Sequence, residues 1–270
     1  MEARIGFSMG TDAKQQQEVI GEQVRCNEGK RSLVQVYFEE KSLTLTYYND
    51  RFALQRGDTV FVSGKLAGHS GRVTEVCYSF KIRPSDYERV ISVADTEVHG
   101  SFFAAGSLFA TMEEASLPPI QAKSWFFPIG TEAEEFITES DGNSFPLEDL
   151  RQMGVSEAVA ERGHGYYMEN RVRYLHLKNG KGYAIVQGNK PYEVEFGYSD
   201  GEITDPVCTC FCNSRCKHTF AAMLQLKELF HNLGQERVQA VQNGKSVSAM
   251  QKMTFLAQAV MGHDDLRFSL

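Results

Sequence analysis

The first part of the chain alternates between apolar and polar residues in short runs. Leucine, valine and tyrosine alternate with threonine over residues 43–47, which is typical of a strand with one buried face. Glycines punctuate the same region. We predict four strands here, over residues 33–38, 43–47, 59–62 and 72–78. Short strands joined by glycine turns favour a small β-barrel. The pattern over residues 12–26 predicts a helix before them.

The pattern changes after Val155, where helical and strand-like segments follow each other. Ser156 precedes an apolar-faced segment and is a plausible helix cap. Asn179-Gly180 and Asp200-Gly201 are tight-turn signals between strands. Ser248 and Gln251 have the spacing of a capping box, so a last helix is predicted, ending near Gly262. The remaining predicted elements are strands over 172–177, 182–186 and 192–196, and a helix over 217–230.

Between these two parts, the pattern is irregular and acidic. Pro118-Pro119 interrupts helices and sheet ladders alike, and an acidic run occupies residues 132–139. Residues 99–156 contain 2 basic and 9 acidic groups, so they hold almost all of the net charge of −7. Scattered aromatic residues interrupt the acidic stretch. We therefore predict a connector that lies over a domain and includes a looser acidic portion.

These patterns together predict an α+β protein with four parts. A small β-barrel domain is expected over residues 1–98, and the acidic, aromatic-containing connector over 99–154. A β-sheet with a helix, carrying a metal-binding module, is expected over 155–232. Residues 233–270 are predicted to form a trailing helical extension.

Composition narrows the possible classes of protein. The chain has 270 residues, and 42% of them are hydrophobic, which is enough to bury a core. It has no apolar run long enough for a membrane helix and no basic start followed by an apolar segment. We therefore expect a cytoplasmic protein without a membrane partner. In a reducing compartment, its six cysteines are more typical of metal ligands than of disulfides.

The densest chemistry lies in residues 208–218, which contain four cysteines and one histidine. Cys208, Cys210, Cys216 and His218 form a C-x-C, five-residue, C-x-H pattern. Thiolates and imidazole are the ligands that zinc prefers, and a Cys₃His set is a closed structural site. One structural zinc ion is therefore predicted. Reduced, unliganded thiols are an alternative, and so is a redox role, because the remaining Cys212 could take part in thiol exchange.

This pattern resembles the SWIM zinc-finger family, whose signature is C-x-C followed by C-x-H. Cys216-Lys217-His218 has the common C-K-H form of that family, a Tyr-x-Val strand precedes the first pair, and an apolar helix follows the last ligand. The resemblance covers residues 155–230 and implies a zinc-stabilised module of strands and a helix. It implies binding to DNA or to proteins, often beside helicase-like ATPases or transposases, and no catalysis. The whole chain also resembles uncharacterised bacterial proteins with such a module.

A second resemblance lies in residues 57–73. Gly57-Asp58-Thr59-Val60, a glycine-rich loop and Gly71-Arg72-Val73 look like a KOW motif in an SH3-like barrel. That family contacts RNA or ribosomal and transcription proteins. The glycines alone are also explained by tight turns that need positive φ.

Two classes of function therefore stay open, and neither is an enzyme. The first is a zinc-dependent module that binds DNA or RNA, with DNA favoured. Its candidate phosphate contacts are Lys190, Arg215, Lys217, Lys65 and Arg72. The second is a protein-interaction adaptor that docks on a partner such as a separate helicase-like ATPase. The salt dependence of binding distinguishes these two classes, because the affinity for phosphates falls steeply as the salt concentration rises.

Overall fold

The computed structural model describes residues 31–128, 142–212, 215–260 and 267–268. The helix predicted over residues 12–26, the acidic run and the stop at Gly262 lie outside the described residues. The α+β class is confirmed, since the described chain forms two largely antiparallel sheets with a few helices.

The first sheet has five strands in the order β2-β1-β4-β3-β5, and neighbouring strands are antiparallel. Four of them match the predicted strands, and the fifth has no counterpart among them. The strands are β1 Ser32–Phe38, β2 Leu43–Asn49, β3 Thr59–Val62, β4 Ser70–Cys77 and β5 Val90–Val93.

The alternation of buried and more exposed residues along the strands explains how this sheet forms its core. Along β1, Val34, Val36 and Phe38 are buried while the residues between them are more exposed. The two outer strands approach each other at a single bridge between Tyr48 and Arg89. Over the described residues, the sheet therefore bends until its edges touch at one point, and it does not close along its length.

The second sheet has nine strands in the order β14-β6-β7-β13-β9-β10-β11-β12-β8. Every neighbouring pair is antiparallel except the parallel pair of β14 with β6. The strands are β6 Ser101–Ala105, β7 Leu108–Thr111, β8 Ser144–Pro146, β9 Val172–Lys178, β10 Lys181–Gln187, β11 Pro191–Ser199, β12 Glu202–Cys208, β13 Val247–Gln251 and β14 Arg267–Phe268.

The two predicted tight turns join the strands that lead to the cysteine cluster. Asn179 and Gly180 have φ of 49° and 72°, and Asp200 and Gly201 have φ of 51° and 88°. Two consecutive left-handed residues are what a type I′ hairpin turn requires. The turns therefore fix the registers of β9 with β10 and of β11 with β12.

Helices cover both faces of this sheet. On one face, Ala184 and Val186 of β10 pack in a core with Met223 and Leu226. On the other face, Ile185 belongs to a second core around Trp125. The helices are α1 Pro119–Ser124, α2 Glu157–Met168, α3 Lys217–Leu233, α4 Gln235–Gln242 and α5 Lys252–Phe255, with 3-10 turns over Glu39–Lys41, Gly64–Leu66, Pro84–Asp86 and Leu150–Met153 and a π-helical turn over Leu256–Val260. No described helix is long and apolar enough to cross a membrane.

Two regions differ from the elements that the sequence predicts. Residues 99–154, expected as a connector, contribute β6, β7 and β8 to the large sheet. In the expected helical extension, Ser248 lies in β13, a strand between β7 and β9. All five residues of β13 are buried, so the strand shows no alternation. Gln251 still caps a helix, because its side chain accepts from the Thr254 N–H at 2.7 Å at the start of α5.

Candidate metal centre

The end of β12 and the start of α3 bring the cysteine cluster together. Cys208 is the last residue of β12, opposite Val194 of β11. Thr209 continues this pairing, because its N–H donates to the Glu193 carbonyl at 3.0 Å and its Oγ1 accepts from the Glu193 N–H at 3.0 Å. The chain then reverses, and Cys216 is the N-cap of α3, with its sulfur accepting from the Thr219 N–H at 3.3 Å. Hydrogen bonds of secondary structure therefore fix both ends of the cluster.

The four predicted ligands form one group. The ligand atoms of Cys208, Cys210, Cys216 and His218 all lie within 4.8 Å of one another. His218 Nδ1 is 3.8 Å from the sulfur of Cys208 and 3.8 Å from that of Cys216. The remaining cysteine of the loop, Cys212, is exposed. The geometry therefore gives a Cys₃His group that can hold a metal ion.

Burial determines what this group can do chemically. Cys208, Cys216 and His218 are 6%, 2% and 4% exposed. Hydrogen bonds with Cys210 and Cys216, together with burial, raise the pKa of Cys208, whereas hydrogen bonds from Cys208 and Cys210 lower the pKa of Cys216. The protons of these thiols are therefore coupled to one another. A bound divalent cation would displace those protons, because it deprotonates the thiols that coordinate it.

Aromatic packing orients the imidazole of His218. The ring of Tyr192 stacks on it with centroids 4.3 Å apart and planes 20° apart. The ring of Tyr166, from α2, meets it edge-on at 5.4 Å. Gly188 leaves room for this arrangement, since a Cβ there would lie 2.8 Å from the Tyr192 ring and 3.3 Å from His218 Nε2. Nε2 is buried and has no hydrogen-bond partner among the described residues, while Nδ1 faces the sulfurs.

Cations lie over these rings. The Lys217 ammonium is 4.6 Å from the centroid of Tyr166, and the Arg171 guanidinium carbon is 4.7 Å from it. The Lys190 ammonium is 5.9 Å from the centroid of Tyr192. Two of the predicted phosphate contacts, Lys190 and Lys217, therefore lie on aromatic rings that touch the histidine of the cluster.

The other predicted contacts have different surroundings. Arg215 is exposed immediately before Cys216. Lys65 is exposed in the 3-10 turn before β4. Arg72 is half-buried, and its guanidinium donates to the carbonyl oxygen of Ala257. That guanidinium is thus already engaged with the segment that follows α5.

The glycine-rich loop nevertheless approaches Lys190. A cavity of about 150 Å³ is lined by the β3–β4 loop, including Gly68 and His69, and by the β10–β11 loop, including Asn189 and Lys190. Lys65 and Arg72 do not line it. The β3–β4 loop therefore reaches Lys190 with residues such as Gly68 and His69, and not with the two predicted cations.

Tyr166 and Arg171 are the site residues that sequence reasoning missed. They lie in α2 and just after it, more than 35 residues before the cluster. No spacing rule connects them to a C-x-H motif. Phe211 lies inside the motif, but a single aromatic residue in a loop does not by itself indicate a function.

The chain matches no family model, no curated protein and no solved structure. The chain therefore resembles the SWIM family in its sequence motif alone. The evidence that these residues can hold a metal ion is the geometry described above.

Proposed function

We propose that the Cys₃His group holds one structural zinc ion. With a Zn–S bond of about 2.3 Å and a Zn–N bond of about 2.0–2.1 Å, a tetrahedral ion separates sulfur from nitrogen by about 3.6 Å. The two distances of 3.8 Å from His218 Nδ1 to sulfur are close to this separation. Four protein ligands fill a tetrahedral shell, so such an ion has no open position for substrate and its role is structural.

The zinc module, in this proposal, binds nucleic acid without catalysis, with DNA as the first candidate. The observation that carries it is the placement of Lys190 and Lys217 on the rings around His218. Neither lysine has an ion pair with a described carboxylate. Arg215 adds a further exposed cation at the start of α3. Lysine and arginine side chains close together on one surface are what phosphate binding requires.

The first sheet supports the same proposal. The segment that resembles a KOW motif forms the β3–β4 hairpin, with Thr59 opposite Arg72. Its loop meets Lys190 at the shared cavity. We propose that this sheet is a small barrel-like module that extends the nucleic-acid surface of the zinc module.

The test of this function is a fluorescence-anisotropy titration of short DNA and RNA with the wild type and with a triple variant, Lys190→Ala, Arg215→Ala and Lys217→Ala. Each phosphate contact contributes a slope of about −0.7 to −0.9 to the plot of log affinity against log salt. The triple variant should bind more weakly at low salt, and its slope should be shallower by about 2 to 3. A matched control replaces three exposed cations elsewhere, Arg51, Arg83 and Lys181, and should keep the wild-type slope.

Absence of wild-type binding at low salt and tens of micromolar protein would remove the nucleic-acid function. That concentration already exceeds many non-specific dissociation constants, which are about 10⁻⁴ to 10⁻⁶ M.

A protein partner is the second candidate, and one observation favours it. Tyr37, Leu43 and Leu45 are 37%, 41% and 39% exposed on β1 and β2. β2 is also an outer strand of its sheet, and an exposed apolar edge is a surface on which other chains can pair. We propose this edge as the contact surface of an adaptor if nucleic acid does not bind. Such an interface would depend little on salt.

A further inference from the structure

Phe211 has an environment that packing does not explain. Its side chain is fully exposed, at 101% of the reference area. The other rings around the cluster, Tyr166 and Tyr192, are partly buried and contact His218. A phenylalanine left in water forgoes the transfer free energy that burial of its ring would provide. A ring in this position therefore suits a ligand that covers it.

The cluster restrains the backbone next to that ring. Phe211 directly follows Cys210, whose sulfur is in the Cys₃His group, and Thr209 is paired to β11. The chain is thus fixed on the N-terminal side of the ring. With a metal ion bound, this restraint is stronger, and the ring can bind a ligand with a smaller loss of conformational entropy.

The charges near the loop indicate what the ligand is. Lys217 follows the ligand Cys216, and Lys190 lies over Tyr192, which stacks on His218. Glu193, the carboxylate in the neighbouring strand, is already engaged by Lys123 at 2.6 Å and by the Tyr183 hydroxyl at 2.7 Å. Two cations thus lie over rings that contact His218, and Phe211 follows another ligand of the same cluster. Cations and an exposed ring together are complementary to an anion that carries a flat aromatic group.

We propose that Phe211, together with Lys190 and Lys217, forms a subsite for single-stranded nucleic acid. One unpaired base stacks on Phe211, and the flanking phosphates contact Lys190 and Lys217. This inference rests on the proposed nucleic-acid function and specifies its ligand. A duplex presents its phosphates but keeps its base faces stacked inside the helix, whereas single strands offer them to aromatic side chains.

The experiment compares a short thymine oligonucleotide with a duplex of the same length, using the full chain loaded with zinc. Phe211→Ala should weaken binding of the single strand about tenfold, because one base–aromatic stack is lost, and should leave duplex binding unchanged. The salt slope for the single strand should stay that of the wild type, because no phosphate contact is removed. Lys190→Ala should instead make the slope shallower by about 0.7.

Two controls separate stacking from damage to the loop. Ile120→Ala removes another exposed apolar side chain, 61% exposed, and should leave all affinities unchanged. Phe211→Trp should retain single-strand affinity. The oligonucleotide should quench the fluorescence of the new indole. The single native tryptophan, Trp125, is 1% exposed and provides the background signal.

The outcomes distinguish the two proposals. If neither nucleic acid binds the wild type, the proposed function fails and this inference fails with it. If both bind, but Phe211→Ala has no effect or weakens duplex and single strand equally, the single-strand subsite is overturned while the nucleic-acid function stands. Selective loss of single-strand affinity supports both.

Discussion

At the scale of single residues, three of the four ligands are positioned by secondary-structure elements. Cys208 ends a strand, and Cys216 and His218 begin a helix, so three ligands are fixed by backbone hydrogen bonds. Cys210 lies in the loop between those elements. This is also why the site could be read from the sequence: its ligands fall within one short segment.

Replacing Cys216 with serine tests the metal site. Serine is a good N-cap, so α3 should keep the hydrogen bond from the Thr219 N–H, while the zinc ion loses a thiolate ligand. Metal analysis should give one zinc per chain for the wild type and little for Cys216→Ser. Structural zinc contributes about 10–16 kcal/mol in zinc-finger peptides. Hydrogen exchange should therefore rise in residues 190–230 and stay unchanged in residues 33–93.

Cys212→Ser is the matched control for that experiment. Cys212 is exposed and lies outside the ligand group, so its replacement should leave the zinc content at one per chain. Full retention of zinc by Cys216→Ser, or a wild type purified without chelators that contains none, would contradict the zinc assignment.

At the scale of elements, the prediction from sequence was accurate where structure is local. The β9–β10 and β11–β12 hairpins were recognised because their turns need left-handed residues, and Asn179-Gly180 and Asp200-Gly201 supply them. β13 was missed because all of its residues are buried, so it lacks the alternation of a one-sided strand. The sequence pattern predicts Ser248 as a helix cap. In the structure its hydroxyl instead lies 2.9 Å from His176 Nδ1 of β9. Only tertiary pairing determines such a strand.

Two glycines with opposite surroundings test the packing of these elements. In β10, a Cβ at Gly182 would lie 2.1 Å from the ring of Phe196, and that ring is 5% exposed and cannot move freely. Gly182→Ala should lower the free energy of unfolding by about 1–3 kcal/mol through overpacking. In α2, a Cβ at Gly165 meets nothing within 4 Å, so Gly165→Ala should raise the free energy of unfolding by about 0.5–1 kcal/mol through helix propensity.

Urea denaturation monitored by circular dichroism measures both changes. If both variants shifted the midpoint by the same amount in the same direction, the space around each glycine would not determine the effect of its replacement. The described packing of Phe196 over β10 would then be wrong.

At the scale of the whole molecule, the metal centre belongs to a larger unit than its motif. The strands that carry it, β11 and β12, lie in a sheet that continues through β9 to β13, β7 and β6. The apolar face of α3 belongs to one core with residues from distant strands of this sheet, including Leu108 and Phe145. The first sheet is joined to this unit through Thr59, whose hydroxyl donates to the Gln258 side chain at 2.6 Å.

Fragments test how large the cooperative unit is. Residues 155–232 contain every metal ligand but lack β6, β7, β8 and β13. We expect this fragment to unfold non-cooperatively and to bind zinc weakly, because part of the core over α3 is missing. Residues 99–260 should unfold in one cooperative transition, measured by calorimetry with zinc present. A cooperative transition of equal stability in the shorter fragment would instead support the predicted boundary at residue 155.

The position of β13 also has a consequence for biosynthesis. This strand fills the gap between β7 and β9, yet it is translated after all four metal ligands. At about 5–20 residues per second, a ribosome adds the residues from His218 to Gln251 in about 2–7 s. During that interval, the nascent chain carries its thiols and the exposed edges of β7 and β9 without the strand that joins them. Protection of this intermediate by a chaperone, or early capture of the metal, would therefore influence the yield of folded protein.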